Sequence, residues 1–316
     1  MYDDETWTIE DNAQEDYYYS ASYDERWATG SSIHTYGGCP DDTGKWSVTF
    51  DMDGSSAVKR YPHDQQPSDG FFVDRIGKQK ISLFEPYETG DDEEIYFTND
   101  KDKSAVWPAP NSDLAEVGEV AFKNVAELAI GEINPVVGGM KSAAKVFDKI
   151  LHEFNIINKT KSESYEVGYD YSQWDLQSET NQYAQWKHTL NYDDDTVHYA
   201  ESYMASDGGG VECSVNWKIK THAPSSDYCS SSTSTMNTQS CSTDSKSNRP
   251  DWVTDMGKAP KDFKKKYDLR KVPISVLKKV GFERDDLQIV DGNKAWWAAN
   301  MPTEAEVVPR SETPSR

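Results

Sequence analysis

Apolar and polar positions alternate with a period of two along most of this chain. In KWSVTFDMDG, Trp46, Val48, Phe50 and Met52 fall on one side and Ser47, Thr49 and Asp51 on the other. That pattern predicts a strand with one buried face, closed by a turn at Asp53-Gly54. EDYYYSASY places Tyr17, Tyr19, Ala21 and Tyr23 on one face, and QKISLFEP and EEIYFTND read as shorter strands. The cadence returns after residue 160. SYEVGYDY aligns Tyr165, Val167, Tyr169 and Tyr171, and NQYAQWKHTLNYDD and DTVHYAESYMAS follow. GVECSVNWKIKTH then sets Val211, Cys213, Val215, Trp217 and Ile219 on one side, and the DGGG of 207–210 predicts a hairpin.

The period changes in the middle. After Asn111 or Ser112, either of which can cap a helix, Leu114, Val117, Ala121, Val125 and Leu128 recur at helical spacing. Pro135 ends that helix, and Met140, Ala144, Phe147 and Leu151 mark a second one, so 112–155 reads as an αα-hairpin. Each helix has a wet side, with Glu116, Glu119 and Lys123 on the first and Lys141, Lys145 and Lys149 on the second. A dry stripe opposite a wet one is what a helix laid on a sheet requires. Insertion into a membrane is the competing reading, but an interfacial helix usually carries a basic polar face and the first helix is acidic.

The C-terminal third differs again. Fourteen of residues 225–247 are Ser or Thr, which reads as a linker. Residues 258–279 hold nine basic and two acidic side chains. Pro273 can start a short helix through ISVLKKVGF, and LQIVDGNKAWWAA reads as a hairpin about Asp291-Gly292. The expected organisation is mainly β with a helical insertion. An antiparallel β-sandwich spans 1–222 and is packed by the hairpin of 112–155. A Ser/Thr-rich linker (223–249), a small basic α/β appendage (250–301) and a disordered tail (302–316) complete it.

Composition constrains the setting. Leu, Ile, Val and Phe make up about 17% of the chain and the formal net charge is −22, a combination that ordinarily signals disorder. Eighteen Tyr and ten Trp argue for a folded core built from rings. Such acidity repels nucleic acid and suits a saline environment, in which self-repulsion is screened. No run of 18 apolar residues is present, so no simple transmembrane helix is expected, and any membrane contact would be at its surface. MYDDETWTIEDN has neither the basic start nor the apolar run of a signal peptide. With four cysteines and the acceptor Asn158-Lys159-Thr160, the location expected is extracellular or on a virion surface.

Candidate chemistry is sparse. Cys39, Cys213, Cys229 and Cys241 suggest disulfides, with Cys39–Cys213 and Cys229–Cys241 the preferred pairing. No nucleophile elbow, phosphate loop or HExxH is present. His188 and His198 lie on neighbouring predicted strands and form an acid–base or metal pair if both face one side. Calcium is the cofactor that the acidic segments suggest: Asp51 and Asp53 in DMDG, and Asp193 and Asp195 in NYDDDT. Neither has EF-hand spacing, and both also read as solvated turns. The basic unit is too short for a winged helix. Lys264, Lys265, Lys266, Lys278 and Lys279, with Trp296 and Trp297 as apolar anchors, suit docking on an acidic protein surface or self-assembly. The expected role is a non-enzymatic structural or binding protein. A membrane-active toxin using 113–155 and a secreted hydrolase around His188 and His198 are the alternatives.

Overall fold

The alternating segments become antiparallel strands in the computed structural model. It describes residues 7–40, 45–84, 94–97, 104–107, 162–163, 166–171, 173–190, 195–223, 256–279, 282, 294–299, 301 and 303–313. In chain order the strands are β1 (Trp7–Tyr18), β2 (Tyr23–Pro40), β3 (Trp46–Pro62), β4 (Phe71–Phe72), β5 (Ile76–Phe84), β6 (Glu94–Phe97), β7 (Ser104–Trp107) and β8 (Ser162–Glu163). Then come β9 (Glu166–Asp170), β10 (Glu179–Leu190), β11 (Asp195–Ser206), β12 (Glu212–His222), β13 (Arg270–Pro273), β14 (Ala295–Ala298) and β15 (Thr303–Val307). Two short helices, α1 (Lys261–Lys266) and α2 (Ile274–Lys279), flank β13.

One sheet follows the order β1-β2-β3-β10-β6, with β4 on β3 and β7 on β10; the other runs β15-β12-β11-β5-β9-β8. The predicted inward sides are buried. Trp46, Val48, Phe50 and Met52 of β3, with Trp186 and Leu190 of β10, share one core with Val215, Trp217 and Ile219 of β12. The protein is thus mostly β, in antiparallel sheets whose apolar faces meet in a common interior. Among the described residues, no helix is long and apolar enough to cross a membrane.

Several expectations need correction. Asp53-Gly54 is not a turn, because β3 continues to Pro62 and Gly54 pairs with Ser31 and Gln182 on its two sides. A Cβ at Gly54 would lie 2.4 Å from Ser202 Oγ on the other sheet. The glycine marks a close approach of the two sheets, a use of strand glycine that looks like a turn signal in sequence. EDYYYSASY is not one strand but the end of β1 and its turn into β2. The amides of Tyr19 and Ser20 donate to the Tyr23 carbonyl there.

The basic unit is not a separate appendage. Met256, Phe263, Tyr267 and Leu269 are buried in the same core as Trp46 and Trp217, and Gly38 of β2 bridges to Ala299. The helix starting after Pro273 forms as α2, and β14 pairs with β13; residues 287–290, the other arm of the expected hairpin, lie outside the described residues. Residues 302–316 are not a disordered tail either: Thr303–Val307 adds β15 to the edge of β12. Glu306 there meets Lys218 at 3.2 Å, so opposite charges alternate in register along the two strands. Arg310 then bonds Glu212 at 2.5 Å and Glu201 at 3.4 Å. The helical hairpin expected over 112–155 and, apart from Ala223, the Ser/Thr-rich linker expected over 223–249 lie outside the described residues.

Two outcomes follow from this packing. Gly54→Ala overfills the contact and is expected to cost about 1–3 kcal/mol in denaturant unfolding. Ser202→Ala in the same chain removes the clashing oxygen and restores most of that loss, a coupling read directly in a double-mutant cycle. Deleting residues 256–316 uncovers Trp46 and Trp217 and strips β12 of its edge partner. That fragment is therefore expected to bind a hydrophobic dye and lose cooperative melting, whereas a self-sufficient 1–222 domain would keep it.

Candidate functional site

His188 and His198 are brought together. On β10, His188 shares the inward side with Trp186 and Leu190; on β11, His198 pairs with Ile219 of β12. Their rings meet edge to face, 4.8 Å between centroids, and both residues are fully buried. Phe50 contacts His198 edge-on at 5.1 Å, and Trp186 Nε1 donates to His198 Nε2 at 3.2 Å. With Nε2 an acceptor, the proton of neutral His198 resides on Nδ1. The Thr196 hydroxyl lies 3.5 Å from His188 Nδ1, while His188 Nε2 and His198 Nδ1 have no partner among the described residues.

Burial sets their chemistry. Removal from water pushes His188 down to about 3 and holds His198 well below the ordinary imidazole value, with His188 adding to the effect. Both rings are therefore neutral near pH 7 and are poorly matched to proton transfer there. Neutral imidazoles ligate metals, but no group of three or more His, Cys, Asp or Glu able to hold an ion forms among the described residues.

The other sequence candidates are dispersed. Asp51 lies mid-strand rather than in a turn, on the opposite face of β3 from Trp46, and accepts from Gln185 Nε2 at 2.7 Å. Asp53 is also within β3, with its side chain outside the described set. Asp195 starts β11, 2.8 Å from His222 Nδ1 and 3.4 Å from Lys220. Partial burial works to raise its carboxyl, but those two partners hold it below the usual range. Asp193 lies outside the described residues.

The Cys39–Cys213 bridge does not form. Cys213 packs with Trp27 and Met204, whereas Cys39 packs with Leu277 and Phe282 of the C-terminal unit. The Thr29 backbone, which contacts the Cys213 side chain, lies ten residues from Cys39 along β2. That separation is on the order of 30 Å, far beyond disulfide reach. Burial pushes the Cys213 thiol up to about 12, making it an inert core group. Cys229 and Cys241 lie outside the described residues.

Of the interaction residues, Lys265, Lys266 and Lys278 are exposed. Lys264 instead bonds the Gly257 carbonyl at 2.7 Å and lies over Trp297. Trp296 donates to the Pro40 carbonyl at 2.8 Å, and Trp297 packs on the core, so both fasten the unit to the body and do not project as anchors. Lys279 closes α2, its side chain outside the described set.

Sequence reading missed a second surface. Tyr18, Tyr19, Phe71 and Trp174 are four of the five exposed large apolar side chains among the described residues, with Trp174 90% exposed. All four occupy one end of the sheets, at the β1–β2 turn, the loop after β3 and the loop before β10. Tyr18 stacks on His63, Tyr23 meets Phe71 edge-on, and Tyr19 lies over Arg60 and Arg75, whose backbone is tied to Gln177. The signal for this end was the run YYYSASY, whose rings alternate as a buried strand's would.

No protein-family model matches this chain, no curated protein matches its sequence, and no solved structure matches its fold.

The histidine pair makes stability depend on pH. Unfolded imidazoles titrate near pH 6.5. Above that value neither state binds the proton. Below it the unfolded chain protonates its imidazoles while the folded one does not, so stability drops as the pH is lowered; for His188 the loss runs at roughly 1.4 kcal/mol per pH unit down to about pH 3, and His198, also held neutral by burial, adds in the same direction. In proton NMR, the ring signals of His188 and His198 are expected to stay flat from pH 8 to pH 5. Those of His63, held above its ordinary value by the Ser20 carbonyl and Asp24, should move.

Proposed function

We propose that this chain is a non-enzymatic structural or binding protein, displayed outside a cell or on a virus particle in a saline setting. Its two sheets act as a β-sandwich, with 112–155 as the helical brace, and its C-terminal unit mediates assembly. The observation that carries the reading is a basic face fixed rigidly on an acidic body. The net charge of the chain is −22, yet Lys258, Lys261, Lys265, Lys266, Lys271 and Lys278 all stand exposed on elements whose other sides are buried in the core. Because the backbone that carries these lysines is already anchored, only their side chains have to be ordered when they meet a partner, which favours docking over mere solubility.

The alternatives draw less support. A hydrolase at His188 and His198 needs water and substrate at two rings that are 0% exposed and held neutral. The segment of the membrane-active reading, 113–155, lies outside the described residues.

Sedimentation of the full chain tests the assembly role. Species heavier than 35.7 kDa are expected at micromolar concentration. Lys265→Glu with Lys278→Glu, both at exposed positions, should weaken association at least tenfold while leaving the melting curve unchanged. A chain that stays monomeric, or that associates regardless of these two charges, overturns the reading.

A further inference from the structure

The assembly reading leaves the partner surface open, and the fold supplies a candidate. β2 runs from Tyr23, paired with Pro62, to Pro40, paired with Trp46. The exposed rings Tyr18, Tyr19, Phe71 and Trp174 surround its first end. The basic unit is joined to its last end, through the Gly38–Ala299 bridge and the Trp296 bond to Pro40. The 18 residues of β2 hold these two surfaces on the order of 50 Å apart, at opposite poles.

The poles are complementary in charge. At the aromatic pole every described arginine is already engaged: Arg26 with Asp16 at 2.6 Å, Arg60 with Glu25 at 2.6 Å, and Arg75 with the same carboxylate at 3.3 Å. Lys59 lies over Phe72, and Lys78 meets Asp170. Asp64, Asp69, Asp74 and Asp175 are exposed near the rings in sequence and Asp207 is exposed beside Gly77 at the same end, and none makes an ion pair among the described residues. The surplus charge of this pole is negative, whereas residues 258–279 at the other pole carry nine basic and two acidic side chains.

We infer that the aromatic, acidic pole of one copy receives the basic unit of a second copy, so that the protein associates head to tail. This rests on the assembly role proposed above and names the surface that completes it. A contact between two different patches of the same molecule leaves one of each patch open. Patches at opposite ends do not close a small ring, so the product is an open chain. The carboxylates select which pole is met, and the rings supply apolar area that salt does not screen.

Two full-length variants test it. Asp69→Lys with Asp175→Lys disables the aromatic pole and leaves the basic unit intact; Lys265→Glu with Lys278→Glu does the reverse. For the native chain, the average mass in sedimentation equilibrium should keep rising with concentration, without a plateau. Each variant alone should be monomeric, and an equimolar mixture should stop at about twice 35.7 kDa, since the pair retains one working contact. Trp174→Ala, at a 90% exposed position that the fold does not need, should weaken native assembly at least tenfold. If the aspartate variant and Trp174→Ala assemble like the native chain, the head-to-tail contact is wrong while the lysine-dependent assembly role stands. A native mass that plateaus at the dimer also overturns it, because open chains do not stop there. Indifference to the lysine changes removes both.

Discussion

Trp27, Trp46, Trp186 and Trp217 are each no more than 1% exposed, and everything else in the molecule depends on their burial. Aliphatic side chains are scarce, so the area that offsets chain entropy comes from large rings, about 200 Å² apiece. Trp46 and Trp186 project from one sheet and Trp217 from the other, and Phe50 stacks on Trp186 at 5.4 Å. The C-terminal residues Phe263, Tyr267 and Leu269 complete the same cluster, which makes them part of the body. Rings of this size have few ways to pack, and that shape fixes how the sheets meet.

The interior they create is not dry in chemical terms. Trp217 Nε1 donates to Ser31 Oγ at 2.6 Å, Ser56 bonds Thr29 at 2.9 Å, and Thr180 and Gln79 bond across the layer. Gln79 Nε2, Ser202 Oγ and Thr221 Oγ1 lack partners among the described residues. Each such group costs about 1–3 kcal/mol. The neutral histidine pair belongs to this polar seam. Its neutrality follows chiefly from depth, with His188 adding to the effect on His198, and a charged ring there would oppose the contact that the tryptophans make.

Much of this was legible in sequence because strand alternation is a local property. Trp46 to Met52 and Cys213 to Ile219 show it within seven residues, and DGGG marks its own hairpin, with positive φ at Gly208 and Gly209. What was illegible depends on distant chain. Gly54 resembles a turn residue until Ser202 of the other sheet is seen against it. TEAEV resembles a tail until Lys218 of β12 is opposite Glu306. The pairing of β14 with β13 spans a longer separation than the local hairpin that Asp291-Gly292 suggested. The histidine pair was legible as a pairing but not as a depth, because alternation gives a side and not a distance from water.

The length of β2 and β3 has a consequence of its own. Strands of 18 and 17 residues are about three times the usual length. A core alone does not require that span, since Trp27 packs in a cluster separate from the one holding Trp46. What the length does is hold two unlike surfaces apart, beyond the screening distance of about 8 Å at physiological salt. Closer together, the lysines of 258–279 and the aspartates around Trp174 would neutralise each other within one molecule. Separated, each stays open for the head-to-tail contact proposed above, in which the complement is the opposite end of a neighbouring copy.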